Sequence, residues 1–467
     1  MNLRPVIMLI CAFLLSVSLS AQQPQVYRLS IKEAVDMAFK NLPSIKNLEL
    51  DYRIQEAQNK QITASAYPQI TGNAGISNYL QLPQILFPDG TAAAIYSILK
   101  EEGVRDASGN PITKNVEVTQ RQVSFQQPWN ATIGASLSQL LFQPDVFVGL
   151  KARSTALDFA RGNIEVEKEK VREAAYKQYY AVLIAQKQLF LIKDGITRME
   201  KLKHDMEQMY INGFVEKLDI DKTQVQLNNL RSQENLLENA IRQNYTLLKF
   251  NIGISQKDSI ALTDEITPDV LKKTIFEESG FQYTDRKEYQ LLNTARKLQE
   301  LDIKRWKLSN LPTVAFLLNY NVQGQSKEFI TSKDALWLKS SLIGLQVNVP
   351  IFDGFRRRYK IQEAQLKLTR VDNSVEQLKM AIDMEQSVNR DQLKNAILNL
   401  DIQQRNMDLA KSIYNTTKKK YEQGLARSFE LLQDENAIRD AERTYFDALY
   451  QASVANVGYL KSLGKLQ

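Results

Sequence analysis

The sequence predicts a mixed chain in which long α-helices adjoin a few amphipathic β-strands, laid out as two tandem copies of one unit. Three observations carry this. The chain matches itself at large offsets. Four short segments alternate apolar and polar residues with period two, as half-exposed strands do. The stretch from Gly354 to Tyr421 contains no proline and repeats apolar residues at three- and four-residue steps.

The internal matches set the organisation, because a large period changes the reading of the whole fold. YINGFVEKLDIDKTQ from Tyr210 matches YEQGLARSFELLQDE from Tyr421 at an offset of 211. ATIGASLSQLLFQP from Ala131 matches SLIGLQVNVPIFDG from Ser341 at an offset of 210, and ASAYPQIT from Ala64 resembles LSNLPTVA from Leu308 at 244. The first copy therefore holds about 34 extra residues, expected as a long loop around FPDG and DASGNP. The predicted plan is a first repeat over 22–253, a connector over 254–283 and a second repeat over 284–467. Each repeat reads helix, strand, loop, strand, long helix, tip, long helix.

The strands are expected near 68–81, 129–143, 312–323 and 337–352. Val314, Phe316, Leu318, Tyr320 and Val322 alternate with polar residues, as do Ile343, Leu345 and Val347. The helical rhythm runs through Ile361, Ala364, Leu368, Val371, Val375, Leu378 and Ile382, a coiled-coil seam. Unbroken, the helix from Gly354 would span roughly 100 Å. The helix tips are expected near 210–215 and 421–426.

Residues 1–21 read as a signal peptide. Arg4 precedes an apolar run from Val6 to Val17, with small residues at Ser18, Ser20 and Ala21. That run is short for a membrane-spanning helix. Its cleavage would remove Cys11, the only cysteine, and with it disulfide and thiolate chemistry. The single histidine, His204, reads as an exposed helix residue. Charge totals +7, with bases interleaved with acids along helix faces, which argues against a nucleic-acid stripe. No phosphate loop, metal set or cofactor motif stands out, so neither an enzyme nor a cofactor is expected.

Two environments fit the strands. A small soluble sheet would pack its apolar side on helices; a membrane barrel would turn it to lipid. Aromatic placement favours the membrane: Trp129 precedes one strand and Phe142 ends it, while Trp337 precedes the matching strand and Phe352 ends it. Four strands cannot close a barrel, and open edges are forbidden in lipid. A membrane sheet would therefore require oligomerisation, and three protomers would supply twelve strands. Arg356, Arg357 and Arg358, just past the fourth strand, would meet anionic headgroups.

The duplicated unit, VPIFDGFRRR, LLKFNIGI and the paired tips together resemble the TolC family of outer-membrane efflux proteins, over nearly the whole chain. The resemblance implies a homotrimer with a 12-stranded β-barrel, four strands per protomer, continued by a long periplasmic α-helical coiled-coil barrel. It implies a passive channel of a tripartite efflux or type I secretion system, partnered by a periplasmic adaptor and an inner-membrane pump of RND or ABC type. By the same resemblance Tyr210, Gly213, Phe214, Tyr421, Gly424 and Leu425 would accept the adaptor. Asp219, Glu430 and Asp434 would line the periplasmic aperture. Ala426 and Leu218 depart from a known gate pattern. The competing expectation is a periplasmic coiled-coil scaffold without a barrel.

Overall fold

The computed structural model describes residues 26–268, 271 and 280–466. The expected signal peptide lies outside them. Two compact units emerge. One comprises residues up to Ala57, Ala152–Leu301 and Glu363 onward; the other comprises Gln58–Lys151 and Asp302–Gln362.

The first unit is largely helical. Strand β1 (Val26–Leu29) leads into α1 (Ile31–Asn41) through a capping box, in which Ser30 accepts from the Glu33 amide and Glu33 reaches back to the Ser30 amide. Helix α2 (Pro43–Ala64) follows. Two long pairs dominate: α4 (Pro144–Ile211) with α5 (Lys217–Asn251), and α7 (Arg356–Glu422) with α8 (Ser428–Ser462). At 68 and 35 residues against 67 and 35, the pairs are nearly equal in length. Helix α6 (Lys287–Leu308) follows a short 3₁₀ turn.

The helices pack along stripes. On α7, Ala364, Val375, Ile382, Leu393, Ile397, Leu400, Met407 and Tyr414 are buried, extending the sequence seam by several turns. Leu393, Ile397 and Leu400 meet Tyr445, Leu449 and Ala452 of α8. Nearer the tips, Met199, Leu202 and Met206 of α4 join Leu227 and Leu230 of α5 and Leu431, Leu432 and Ile438 of α8. A second α7 stripe is apolar and exposed: Leu366, Met380, Met384, Val388, Leu398, Ile402, Leu409 and Ile413. Among the described residues no helix is long and apolar enough to cross a membrane.

The connector holds β6 (Ser259–Leu262), which pairs with β1 in parallel, Val26 opposite Ser259. Tyr179 stitches this join. Its buried hydroxyl donates to the Leu29 carbonyl at 2.9 Å and accepts from the Asp264 amide at 3.2 Å. Burial pushes that hydroxyl up to about 12.

The second unit carries a four-stranded antiparallel sheet of β2 (Gln69–Asn78), β5 (Trp129–Phe142), β7 (Thr313–Ser326) and β8 (Leu336–Asn348), in the order β2-β5-β7-β8. Register sorts its side chains into two faces. Ile70, Leu137, Leu318 and Ile343 lie in one row, and Ala74, Ile133 and Val322 in another, all on one face. Thr71, Ser136 and Asn319, and Asn73, Gly134 and Asn321, form rows on the opposite face. At Gly134 a Cβ would lie 1.9 Å from the Asn321 amide oxygen, so a larger residue there would turn the Asn321 side chain aside.

Two details differ from expectation. The extra segment of the first copy is not an open loop. It folds as β3 (Ile85–Asp89), α3 (Thr91–Glu101) and β4 (Thr119–Val123), with β3 and β4 antiparallel. Pro88 and Asp89 form the end of β3 and Gly90 caps α3, while DASGNP turns in the stretch before β4. Asp89 accepts from the Thr91 amide and hydroxyl at the start of α3. Strand β8 also stops at Asn348, so Val349, Ile351 and Phe352 lie beyond the ladder, where Pro350 has no N–H to donate.

Candidate functional site: the helix tips and the sheet

The tips arise from helix-ending chemistry repeated twice. After α4, Gly213 has φ of +75°, its amide donates to the Tyr210 carbonyl, and the Phe214 amide donates to the Met209 carbonyl. After α7, Gly424 has φ of +74°, with Gly424 to Tyr421 and Leu425 to Lys420. Both are Schellman motifs, and the positive φ explains glycine at each. In that motif the residue after the glycine often tucks onto its own helix. Here Phe214 and Leu425 are 79% and 75% exposed, which leaves an apolar side chain projecting from each tip.

The tyrosines differ. Tyr421 is half-buried, its hydroxyl reaches the Met209 sulfur at 3.3 Å, and burial raises its titration. Tyr210 is exposed. Tyr421 thus ties one tip to the helix of the other. Past the turns, Asp219 and Glu430 both occupy the first turn of their helices, with amides donating to Glu216 and Arg427 at 3.1 Å. Asp219 lies 3.5 Å from Lys222, Glu430 is exposed, and Asp434 is half-buried one turn on.

A charged cluster inside the bundle was not anticipated. Glu435 of α8 is 3% exposed and receives Arg198 of α4 through two nitrogens: Nη2 to Oε1 at 2.8 Å, Nε to Oε1 at 3.1 Å and Nε to Oε2 at 3.0 Å. Asp194 also pairs with Arg198, and the Tyr414 ring lies 5.8 Å from its guanidinium. Buried Glu442 sits 3.8 Å from Lys411, and desolvation raises its carboxyl. The signal was present: Leu431, Leu432, Glu435, Ile438, Glu442 and Tyr445 share the spacing of one buried stripe on α8. Among the described residues no cluster of His, Cys, Asp and Glu is placed to hold a metal. His204 is exposed on α4.

In the sheet unit, register brings Trp129 and Trp337 to one end of the apolar face, in neighbouring rows with Ser326 and Gly324 of β7. Trp129 meets Phe329 edge-on at 4.9 Å. Phe142 lies at the other end, level with Val314 and Val347. Phe352 follows on the loop into α7. The three arginines part company there. Arg356 and Arg358 are exposed, whereas Arg357 turns inward to Asp353, Nε to Oδ2 at 2.7 Å, and reaches the Ser309 and Pro350 carbonyls. That contact holds the Asp353 carboxyl below its ordinary range.

Residues 301–465 match the family model described as outer membrane efflux protein. Over that segment, about a third of its length, the chain is similar to outer membrane efflux proteins. Several solved structures share the fold over most of their length. CusC superposes with a TM-score of 0.68 at 13% identity, covering 93% of this chain and 91% of CusC. The outer membrane protein VceC of Vibrio cholerae gives 0.67 at 11%, covering 93% and 96%. The CmeC outer membrane channel of Campylobacter jejuni gives 0.67 at 14%, covering 93% and 85%. No curated protein matches significantly by sequence. The efflux-protein fold thus extends beyond the matched segment to the first half of the chain.

Proposed function

We propose that this chain is the outer-membrane channel component of a tripartite efflux or type I secretion system, a passive duct with no chemistry of its own. The observation that carries the reading is the uncovered two-faced sheet. Its apolar face stays open to the surroundings, with Ile343 68%, Leu345 67% and Val347 58% exposed. A soluble scaffold would bury such a face, so these values favour lipid over the coiled-coil scaffold. Among the described residues β2 and β8 also lack partners on their outer edges. In lipid those edges must be paired, and pairing β2 of one copy with β8 of the next closes a ring. Three copies give the twelve-stranded barrel. The exposed stripe on α7 is a second unpartnered seam that neighbouring copies would cover.

In this arrangement the long helices form the periplasmic tunnel. Phe214 and Leu425 project toward a periplasmic adaptor, flanked by Tyr210, Gly213, Tyr421 and Gly424, and an RND or ABC pump lies beyond it. Asp219, Glu430 and Asp434 would form rings of carboxylates at the aperture, attracting cations. Trp129, Trp337, Phe142 and Phe352 would mark the two membrane interfaces. Arg356 and Arg358 would each gain about 1 kcal/mol from anionic headgroups; Arg357, committed to Asp353, serves the turn.

Membrane fractionation with planar-bilayer recording tests the reading. It expects detergent-resistant trimers in the outer membrane and single-channel conductance. A soluble monomer released on cell disruption would overturn it.

A further inference from the structure

Among the described residues a single non-glycine has a left-handed backbone: Phe355, with φ of +65°. It follows Gly354, at φ of +67°, so two consecutive left-handed residues reverse the chain between β8 and α7. In this region a Cβ crowds the next carbonyl, and a bulky residue there is an outlier. Glycine would suit position 355 as it suits 354. Little burial offsets the strain, because Phe355 is 56% exposed.

What the strained backbone achieves is the direction of the side chain. Phe355 stands edge-on to Phe352, with centroids 5.4 Å apart and planes at 89°. Phe352 is 74% and Ile351 93% exposed, and Tyr359 projects one turn on. The Asp353 carboxylate holds the reversal in place, accepting from the Arg357 amide at 3.1 Å as well as from its Nε. Strain at such a position persists only where surrounding contacts over-determine it.

We infer that Phe355, paired with Phe352 and Ile351, is a lipid anchor that inserts at the boundary between phospholipid headgroups and acyl chains. The inference rests on reading the sheet as a membrane barrel. Three observations favour lipid over a protein partner. The side chains protrude, each more than half exposed. They follow directly in the chain on Leu345 and Val347, which are already exposed on the apolar face. Exposed Arg356 and Arg358 flank them, and aromatics beside cations are the composition of a membrane interface.

Site-directed spin labelling of the full chain in phosphatidylethanolamine–phosphatidylglycerol vesicles tests this. With Cys11 replaced by alanine, a nitroxide is placed through Phe355→Cys, Phe352→Cys or Leu345→Cys. Position 352 lies outside the strained region, so it reports even where labelling disturbs 355. The anchor predicts that collisions with lipid-soluble oxygen exceed those with an aqueous nickel chelate severalfold at 355 and 352, less steeply than at 345. Preference for nickel at both positions means water, and low collision with both reagents means protein; either overturns the anchor. If 345 favours oxygen while 355 and 352 do not, the anchor fails and the barrel stands. If 345 also disfavours oxygen, the barrel reading falls with it.

Discussion

The buried pair of Arg198 and Glu435 offers a test of what holds the two long helical pairs together. Glu435→Ala would leave the guanidinium, only 21% exposed at its side chain, without its bidentate partner. Breaking a buried pair from one side typically costs about 3–5 kcal/mol. Arg198 keeps Asp194, which is half-exposed, so the low end applies, about 3 kcal/mol. For a unit of this size a loss of 1 kcal/mol lowers the melting temperature by roughly 2 °C, giving a fall of about 6 °C. The double replacement Arg198→Met with Glu435→Leu should lose far less, because apolar groups of similar volume leave no charge unpaired. The assay is helical circular dichroism against temperature in detergent, run as a double-mutant cycle whose single corners are Arg198→Met and Glu435→Leu. If Glu435→Ala melts with the parent protein, or the double variant falls by the sum of the singles, the pair is not the tie we take it to be.

Other outcomes follow from the same geometry. Gly213→Ala and Gly424→Ala should each cost about 1–2 kcal/mol through backbone conformation alone, since nothing lies within 4 Å of an added Cβ. Asparagine at either position should cost less, which thermal melts can compare. Glu169 is buried with Oε2 unpartnered, and desolvation followed by the Glu288 charge raises its carboxyl above the ordinary 4.5. Its protonated form is the one folding favours, so its contribution is full below 4.5 and is lost as pH rises through the higher folded value. Glu169→Gln should therefore melt higher than the parent protein at neutral pH and converge with it in acid. Replacing both Asp219 and Glu430 by alanine should change resting conductance and divalent-cation block; unchanged recordings would remove them from the aperture. Arg357→Gln should destabilise the strand-to-helix turn more than Arg356→Gln or Arg358→Gln, seen as faster proteolysis near Phe352.

Much of the architecture was legible because period-two and heptad patterns are local. The alternation in β7 and β8 was readable from Val314, Phe316, Ile343 and Leu345 without knowledge of their neighbours. The end of β8 was less so. Val349 and Ile351 continue the alternation, but Pro350 cannot join a ladder. The extra segment was misread because its turn residues were weighed above the helix-forming run from Thr91 to Lys100. The charged cluster escaped because nearly every helix face carries acids and bases, which masked the stripe spacing that Glu435 and Glu442 share with Leu432, Ile438 and Tyr445. Arg357 could not be told from its neighbours until the turn placed Asp353 beside it. The pairing of VYRL with SIAL was beyond local pattern, since four-residue strands carry little signal.

That last pairing bears on how the chain matures. Val26 meets Ser259, the Ile31 amide is held by Asp264 at 2.7 Å, and Tyr179 joins both sides. The earliest strand among the described residues therefore cannot find its partner until more than half of the polypeptide has emerged. Closing so long a loop brings its entropic cost before its contacts. During synthesis the Val26–Leu29 segment must therefore wait for Ser259–Leu262 before this ladder can form.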